Sequence, residues 1–177
     1  MGQIGLTPSN ALTILGGKAA LEASISAIFE RQTELQISGS QTAPNTTTGW
    51  GAVGLTTDYG DASAGAAVSR SSNTFTFLQT GDHIFFIQLH DAETNGSSIE
   101  RLRMRLYNNT TPAEVREFRQ ATMPYVSASI DLDPIFYGLV NISSVTDVHQ
   151  LEWQSNDASD TIDISGGGIC AVRRMIQ

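Results

Sequence analysis

Three histidines, His83, His90 and His149, are the residues best suited to metal or proton chemistry. Their spacing argues against a shared site. His83 and His90 lie an odd number of residues apart in one extended run, so a regular strand points them to opposite faces. Nothing approaches the ligand spacing of a zinc site. Carboxylates gather at Asp58 and Asp61, at Asp131 and Asp133, and at Asp157, Asp160 and Asp163. Calcium needs six to eight oxygens, which such loops could supply with backbone carbonyls, but none matches an EF-hand loop. Asp131-Leu-Asp-Pro134 reads more simply as a turn. A glycosidase pair would need two carboxyls facing across a cleft, which no linear pattern displays.

Nucleophile chemistry is equally bare. There is no Gly-x-Ser-x-Gly elbow, Walker loop or dinucleotide fingerprint. Gly166-Gly167-Gly168 precedes a strand pattern and not a helix, so it offers no helix dipole to a phosphate and reads as a hairpin turn. Cys170 is the only cysteine. It sits in the apolar run Ile169-Cys170-Ala171-Val172, where an inert buried thiol is expected and no intrachain disulfide can form. The sequence predicts no catalytic residue, no cofactor, no metal and no enzymatic activity.

The strongest oddity is Ile99 to Leu106, where Leu102, Met104 and Leu106 alternate with Arg101, Arg103 and Arg105. A period of two lays the apolar set on one sheet face and the guanidinium set on the other. Three like charges on one face repel unless acids oppose them. Glu114 and Glu117 in the next segment are candidate partners. The alternative is a surface that meets another subunit or a capsid.

The elements that would position these residues are strands. Candidates run Thr74–Leu78, His83–His90, Ile99–Tyr107, Glu114–Arg119, Tyr125–Ile130, Phe136–Ile142, Val148–Gln154, Thr161–Ile164 and Ile169–Ile176. Weaker ones lie at Ala52–Thr57 and Ala64–Val68. Gly, Asn, Asp and Pro punctuate them with turn chemistry. Strands at roughly ten-residue spacing, without helical periods between, indicate an all-β sandwich or jelly roll. Ahead of them, Lys18 to about Thr33 reads as one short helix with Leu21, Ile25, Ile28 and Phe29 in an apolar stripe. At about four turns it needs a surface to pack on: its own domain, a sister subunit or another protein. The polar stretch Ser38–Thr48, with Pro44, reads as a linker. Residues 1–48 are thus expected to be an N-terminal arm and 49–177 a jelly-roll domain.

The chain has 177 residues and a net charge of −8, and Lys18 is its only lysine. That balance disfavours nucleic acid, which wants a clustered positive face. An arginine bias suits contacts between subunits, although a GC-rich genome would produce the same bias. No basic and apolar leader stands at the N-terminus, and no apolar run approaches the roughly 20 residues that span a membrane. Folding in a cytoplasm is the expectation.

Three pieces resemble the C1q/tumour-necrosis-factor jelly-roll superfamily over roughly Trp50 to Ile176. Thr74-Phe75-Thr76-Phe77, Gly81 and Ile84-Phe85-Phe86 resemble its paired aromatic strands and turn glycine. Val148 to Gln154, with Leu151 and Trp153, resembles its late core strand. Ile164-Ser165-Gly166 leading into Ile169–Ile176 resembles its closing turn and last central strand. His83 departs from the tyrosine usual there, and no collagen-like stem precedes the domain. The resemblance implies a ten-strand sandwich forming a homotrimer with aromatic and aliphatic residues at the three-fold axis. Phe75, Phe77, Phe85 and Trp153, with Arg101, Arg103 and Arg105, are the candidate interface.

The acidic, Ser/Thr/Asn-rich composition and the N-terminal arm also resemble accessory virion proteins of tailed phages. That implies a structural virion protein: a capsid decoration, cement or head-fibre trimer. Leu21, Ile25, Ile28 and Phe29 would contact the major capsid protein or another virion protein. The alternative is a receptor- or carbohydrate-binding tail module using Tyr59, Tyr107 or Tyr125. Neither nucleic acid nor membrane is an expected partner.

Overall fold

The computed structural model describes residues 29–60, 65–94, 100–118, 121–123 and 132–175. Thirteen strands fill this part of the chain, and every pairing is antiparallel. They are β1 Phe29–Ile37, β2 Gln41–Ala43, β3 Gly51–Ala52, β4 Leu55–Gly60, β5 Val68–Ser71, β6 Thr74–Phe77, β7 Gly81–Thr94, β8 Glu100–Asn108, β9 Ala113–Glu117, β10 Ala121–Met123, β11 Ile135–Ile142, β12 Val148–Ser155 and β13 Ile162–Met175. One sheet runs β11-β7-β13-β1-β4, with β2 on β13. The other runs β10-β8-β12-β6-β5, with β3 on β12 and β9 on β8. The result is an all-β jelly-roll sandwich.

Alternation builds the core. Leu35 and Ile37 of β1, Phe85, Ile87 and Leu89 of β7, and Cys170 and Val172 of β13 point inward from the first sheet. Leu102, Met104 and Leu106 of β8, Leu151 and Trp153 of β12, and Phe75 and Phe77 of β6 meet them from the second. Burying each such side chain contributes about 1.5–3 kcal/mol. Aromatic rings thicken the centre: Phe75 meets Phe77 at 5.7 Å, and Phe85 meets Phe118 at 5.5 Å.

Several elements depart from the sequence reading. Residues 18–28 of the expected helix lie outside the described part, but Phe29–Thr33 belong to β1. Here a period of two takes over, with Thr33, Leu35 and Ile37 inward. The β1–β13 ladder runs the length of the strand, which outweighs one turn of marginal helix. Thr33 is tolerated inside because its Oγ1 accepts hydrogen bonds from the Ala67 and Val68 amides at 2.9 and 3.2 Å. The stretch read as a linker contributes β2. The first sheet therefore takes in residues assigned above to the arm.

Gly166-Gly167-Gly168 is no hairpin either. Residues 162–175, which take in most of the candidate strands Thr161–Ile164 and Ile169–Ile176, form the single strand β13, whose register with β7 slips between Ile164 and Gly167. Gly167 has φ +74°, and Gly168 packs its backbone on the Gln88 carbonyl. The glycines thus let a bulge form inside a strand that keeps its direction. The candidate strand Tyr125–Ile130 lies outside the described residues.

Candidate functional site

In the first sheet, β7 carries apolar residues on both parities: Phe85 and Ile87 face the core, while Ile84 and Phe86 face outward. The edge strand β11 does the same, with Phe136, Val140 and Ile142 inside and Ile135, Tyr137 and Leu139 outside. Antiparallel register aligns these outward residues in rows. Leu139 opposes Ile84, which opposes Arg173; Tyr137 opposes Phe86, which opposes Ala171; Ile135 opposes Gln88, which opposes Ile169. Tyr137 is 58% exposed, Leu139 52%, Ile135 49% and Phe86 44%.

Two grooves score this face, each about 380 Å³. One is lined by Ile84, Phe86, Ala171 and Arg173. The other is lined by Ile84, Arg116, Tyr137, Gly138, Leu139 and Met175. Gly138 lies on the inward parity of β11, between Phe136 and Val140, and borders the second groove with its backbone. A Cβ there would stand 2.8 Å from Cδ1 of Phe118, whose buried ring crosses over from the β9 side to seal the edge of the sandwich. The arrangement offers contiguous apolar area bordered by two arginines. Chemically it can exclude water against a matching surface.

The outer face of the second sheet is different. Arg103 forks onto Glu117, with Nε and Nη2 donating at 2.8 and 2.9 Å, and its Nη1 donates to Gln154 Oε1 at 3.3 Å. Arg105 donates from Nε to Glu152 at 2.7 Å, pairs with the same carboxylate through Nη2 at 2.6 Å, and reaches Glu114 at 3.6 Å. Both guanidiniums lie over the Trp50 ring, at 4.8 and 4.3 Å, and Arg105 also covers Tyr107 at 4.7 Å. Hydrogen bonding to Glu117 raises the Arg103 pKa above its ordinary value, which locks in the charge. Arg103 and Arg105 are thus opposed by Glu117 and Glu114 as the pattern suggested, with Glu152 and Trp50 unforeseen. Arg101 is exposed on the same strand.

The other candidate interface residues move. Phe75, Phe77, Phe85 and Trp153 are fully buried in the protomer's own core, so none of them faces a partner. Inward parity claims them before any neighbour can. Leu21, Ile25 and Ile28 lie outside the described residues, and Phe29 opens β1 opposite Met175. Of the tyrosines considered for glycan contact, Tyr107 is half-buried under Arg105 and Tyr125 lies outside the described residues. Phe86, Ile135, Tyr137 and Leu139 were missed. Their signal was present as apolar residues on the parity opposite to the core set.

The carboxylates hold local structure in loops and between strands. Asp157 Oδ1 accepts from the Ser159 amide at 2.7 Å and the Asp160 amide at 3.2 Å, and these bonds lower its pKa. Asp163 accepts from Thr42 Oγ1, and Asp133 pairs with His90 at 3.4 Å. Among the described residues no three His, Cys, Asp or Glu side chains are grouped to hold a metal ion. Burial pushes the Cys170 thiol far up, leaving it inert. No described helix is long and apolar enough to cross a membrane.

No family model matches this chain, and no curated protein matches it in sequence. Solved structures do match its shape. Murine APRIL at pH 8.0 superposes with a TM-score of 0.52 at 8% identity, covering 82% of this chain and 98% of that one. Eiger TNF from S. frugiperda gives 0.51 at 9% identity, covering 82% and 92%. The fold is therefore a TNF-like jelly roll, as the aromatic strands and closing strand suggested. Likeness at this identity speaks for the fold alone.

Proposed function

We propose that the protein is a non-catalytic assembly module, a homotrimer whose protomers join through the outer face of β11, β7 and β13. The observation that carries this reading is the contiguous exposed set Phe86, Ile135, Tyr137 and Leu139. Apolar area of this kind, rimmed by Arg116 and Arg173, is the ordinary make-up of an interface core. A trimer closes by heterologous contacts, in which this face meets a different surface of the next copy, and the resemblance to the TNF-like fold favours three copies.

The module serves as a structural virion protein of a tailed phage, decorating or cementing the capsid or forming a head fibre. Its acidic, Ser/Thr/Asn-rich surface and the residues ahead of β1 support this role. Three modest contacts tethered in one trimer bind a particle lattice with an avidity that none has alone. Light scattering of the purified chain tests the assembly, and a concentration-independent monomer refutes it. Immunogold labelling of purified particles tests the role. Label on heads supports decoration, label on tails favours the receptor-binding alternative, and unlabelled particles overturn both.

A further inference from the structure

His83 and His149 come from different sheets and end up against the same ring. His83 of β7 meets Phe77 of β6 edge-on at 4.7 Å, and His149 of β12 meets it edge-on at 5.0 Å. Phe75 stacks beside His149 at 6.5 Å. Both imidazoles are buried. Each Nδ1 lies 3.0 Å from the carbonyl oxygen two residues earlier, that of Gly81 for His83 and of Asp147 for His149. A carbonyl only accepts, so each Nδ1 carries the proton and each neutral ring keeps a bare Nε2. For His83 that Nε2 is buried with no hydrogen-bond partner. A second proton there would place a charged N–H in an aromatic core with nothing to receive it.

Among the described residues, the charged groups beside the cluster are engaged elsewhere. On β13, Arg174 is the register partner of His83, and its Nε donates to the Thr80 carbonyl at 3.0 Å. On β11 the partner is Val140, and next along β7 Asp82 accepts from Asn141 at 2.6 Å. For His149 the register partners are Asn108 of β8 and Phe75 of β6. Asp147 precedes β12 and is held by Asn108 at 2.7 Å and Ser144 at 3.0 Å. Desolvation lowers both histidine pKa values below the ordinary value, outweighing the carbonyl hydrogen bonds and the two aspartates that pull the other way.

We propose that His83 and His149 form an acid-sensitive latch: neutral, they hold the two sheets together around Phe77, and protonated, they force that end of the sandwich apart. The latch belongs to the protomer and does not depend on self-association. Its sign follows from linkage. A depressed folded-state pKa makes the stabilisation complete above the unfolded value of about 6.5 and removes it as pH falls toward the folded value. The folding equilibrium then drops by up to about tenfold per pH unit for each imidazole, and about a hundredfold for the pair. Most carboxylates titrate below about pH 5, so the interval from about 6.5 to 5 isolates the histidines.

The experiment is urea denaturation of the full chain between about pH 8 and pH 5, for wild type, His83→Phe, His149→Phe and the double variant. The wild-type equilibrium is expected to hold steady down to about pH 6.5 and then fall steeply. Each single variant should halve the slope, and the double variant should flatten it. A wild-type equilibrium unchanged between pH 7.5 and pH 5, or variants that keep the full slope, overturns the latch. Should a variant fail to fold, imidazole Cε1–H shifts of the wild-type protein decide. Two of the three resonances must stay neutral until the protein unfolds, and more than one histidine titrating above about pH 6 in the folded state refutes the proposal.

Discussion

Tyr137→Glu is the sharpest probe of the apolar face, because Tyr137 is its most exposed large side chain. A covered aromatic side chain removes about 150–250 Å² from water, so the part still wet here is on the order of 100 Å². At about 25 cal/mol per Å², covering it in an interface contributes about 2.5 kcal/mol. Glutamate forfeits that gain and adds the desolvation of a carboxylate. Each protomer contact should therefore weaken by at least about 60-fold, at about 1.4 kcal/mol per factor of ten. The proposed trimer holds three such contacts, so the variant should sediment as a monomer at micromolar concentration. The protomer itself should be indifferent, since its own fold leaves this side chain in water, and its stability should stay within about 0.5 kcal/mol. Sedimentation velocity over about 1–100 µM reads the mass, and circular dichroism checks the fold. Arg101→Glu, on the opposite sheet, should leave the mass unchanged. Tyr137→Glu sedimenting like wild type, or Arg101→Glu dissociating the protein, refutes the assignment of the interface to the first sheet.

Further outcomes follow from the same geometry. Glu152→Gln removes the near-buried acid that holds Arg105, and should destabilise by about 1–3 kcal/mol in urea, a loss moderated because Glu114 stays within reach. Gly138→Val drives a side chain into Phe118 and should cost about 1–3 kcal/mol of stability, with partial rescue when Phe118→Leu makes room. Deleting residues 1–28, which stops short of β1, should leave a folded oligomer that no longer binds particles. Undiminished particle binding by the truncated protein rules out a role for that segment.

Strand identity was legible wherever one face is apolar and the other polar. Leu102, Met104 and Leu106 announced β8 because arginines alternate with them, and turn residues bracketed most of the strands that follow. What stayed hidden depends on partners distant in sequence. Thr33 reads as polar and helix-ending until Ala67 and Val68 arrive to bond its hydroxyl. The triple glycine reads as a turn until β7 runs alongside it through both halves of β13. Phe75, Phe77, Phe85 and Trp153 looked like interface residues because aromatic content was visible and its parity was not used. The same parity, applied to Ile84 through Ile87 and to Ile135 through Ile142, separates core from outer face and would have found Phe86, Tyr137 and Leu139.

The two outer faces of the sandwich face opposite demands, and that asymmetry is the reason the proposed self-association is assigned to the first sheet. On the second sheet, Arg103 and Arg105 already have carboxylates at hydrogen-bond distance and the Trp50 ring beneath them. A partner arriving there would strip water from satisfied ion pairs and return little, since desolvation of paired charges is about as large as what new contacts repay. On the first sheet nothing polar is lost when Phe86, Ile135 and Leu139 leave water, and Tyr137 needs only one acceptor for its hydroxyl. Arg116 stands beside one groove, where it can remain hydrated or meet acids of an arriving surface. The net charge of −8 makes such acids abundant on a second copy of this chain, so a protomer already carries much of what its own apolar face would select.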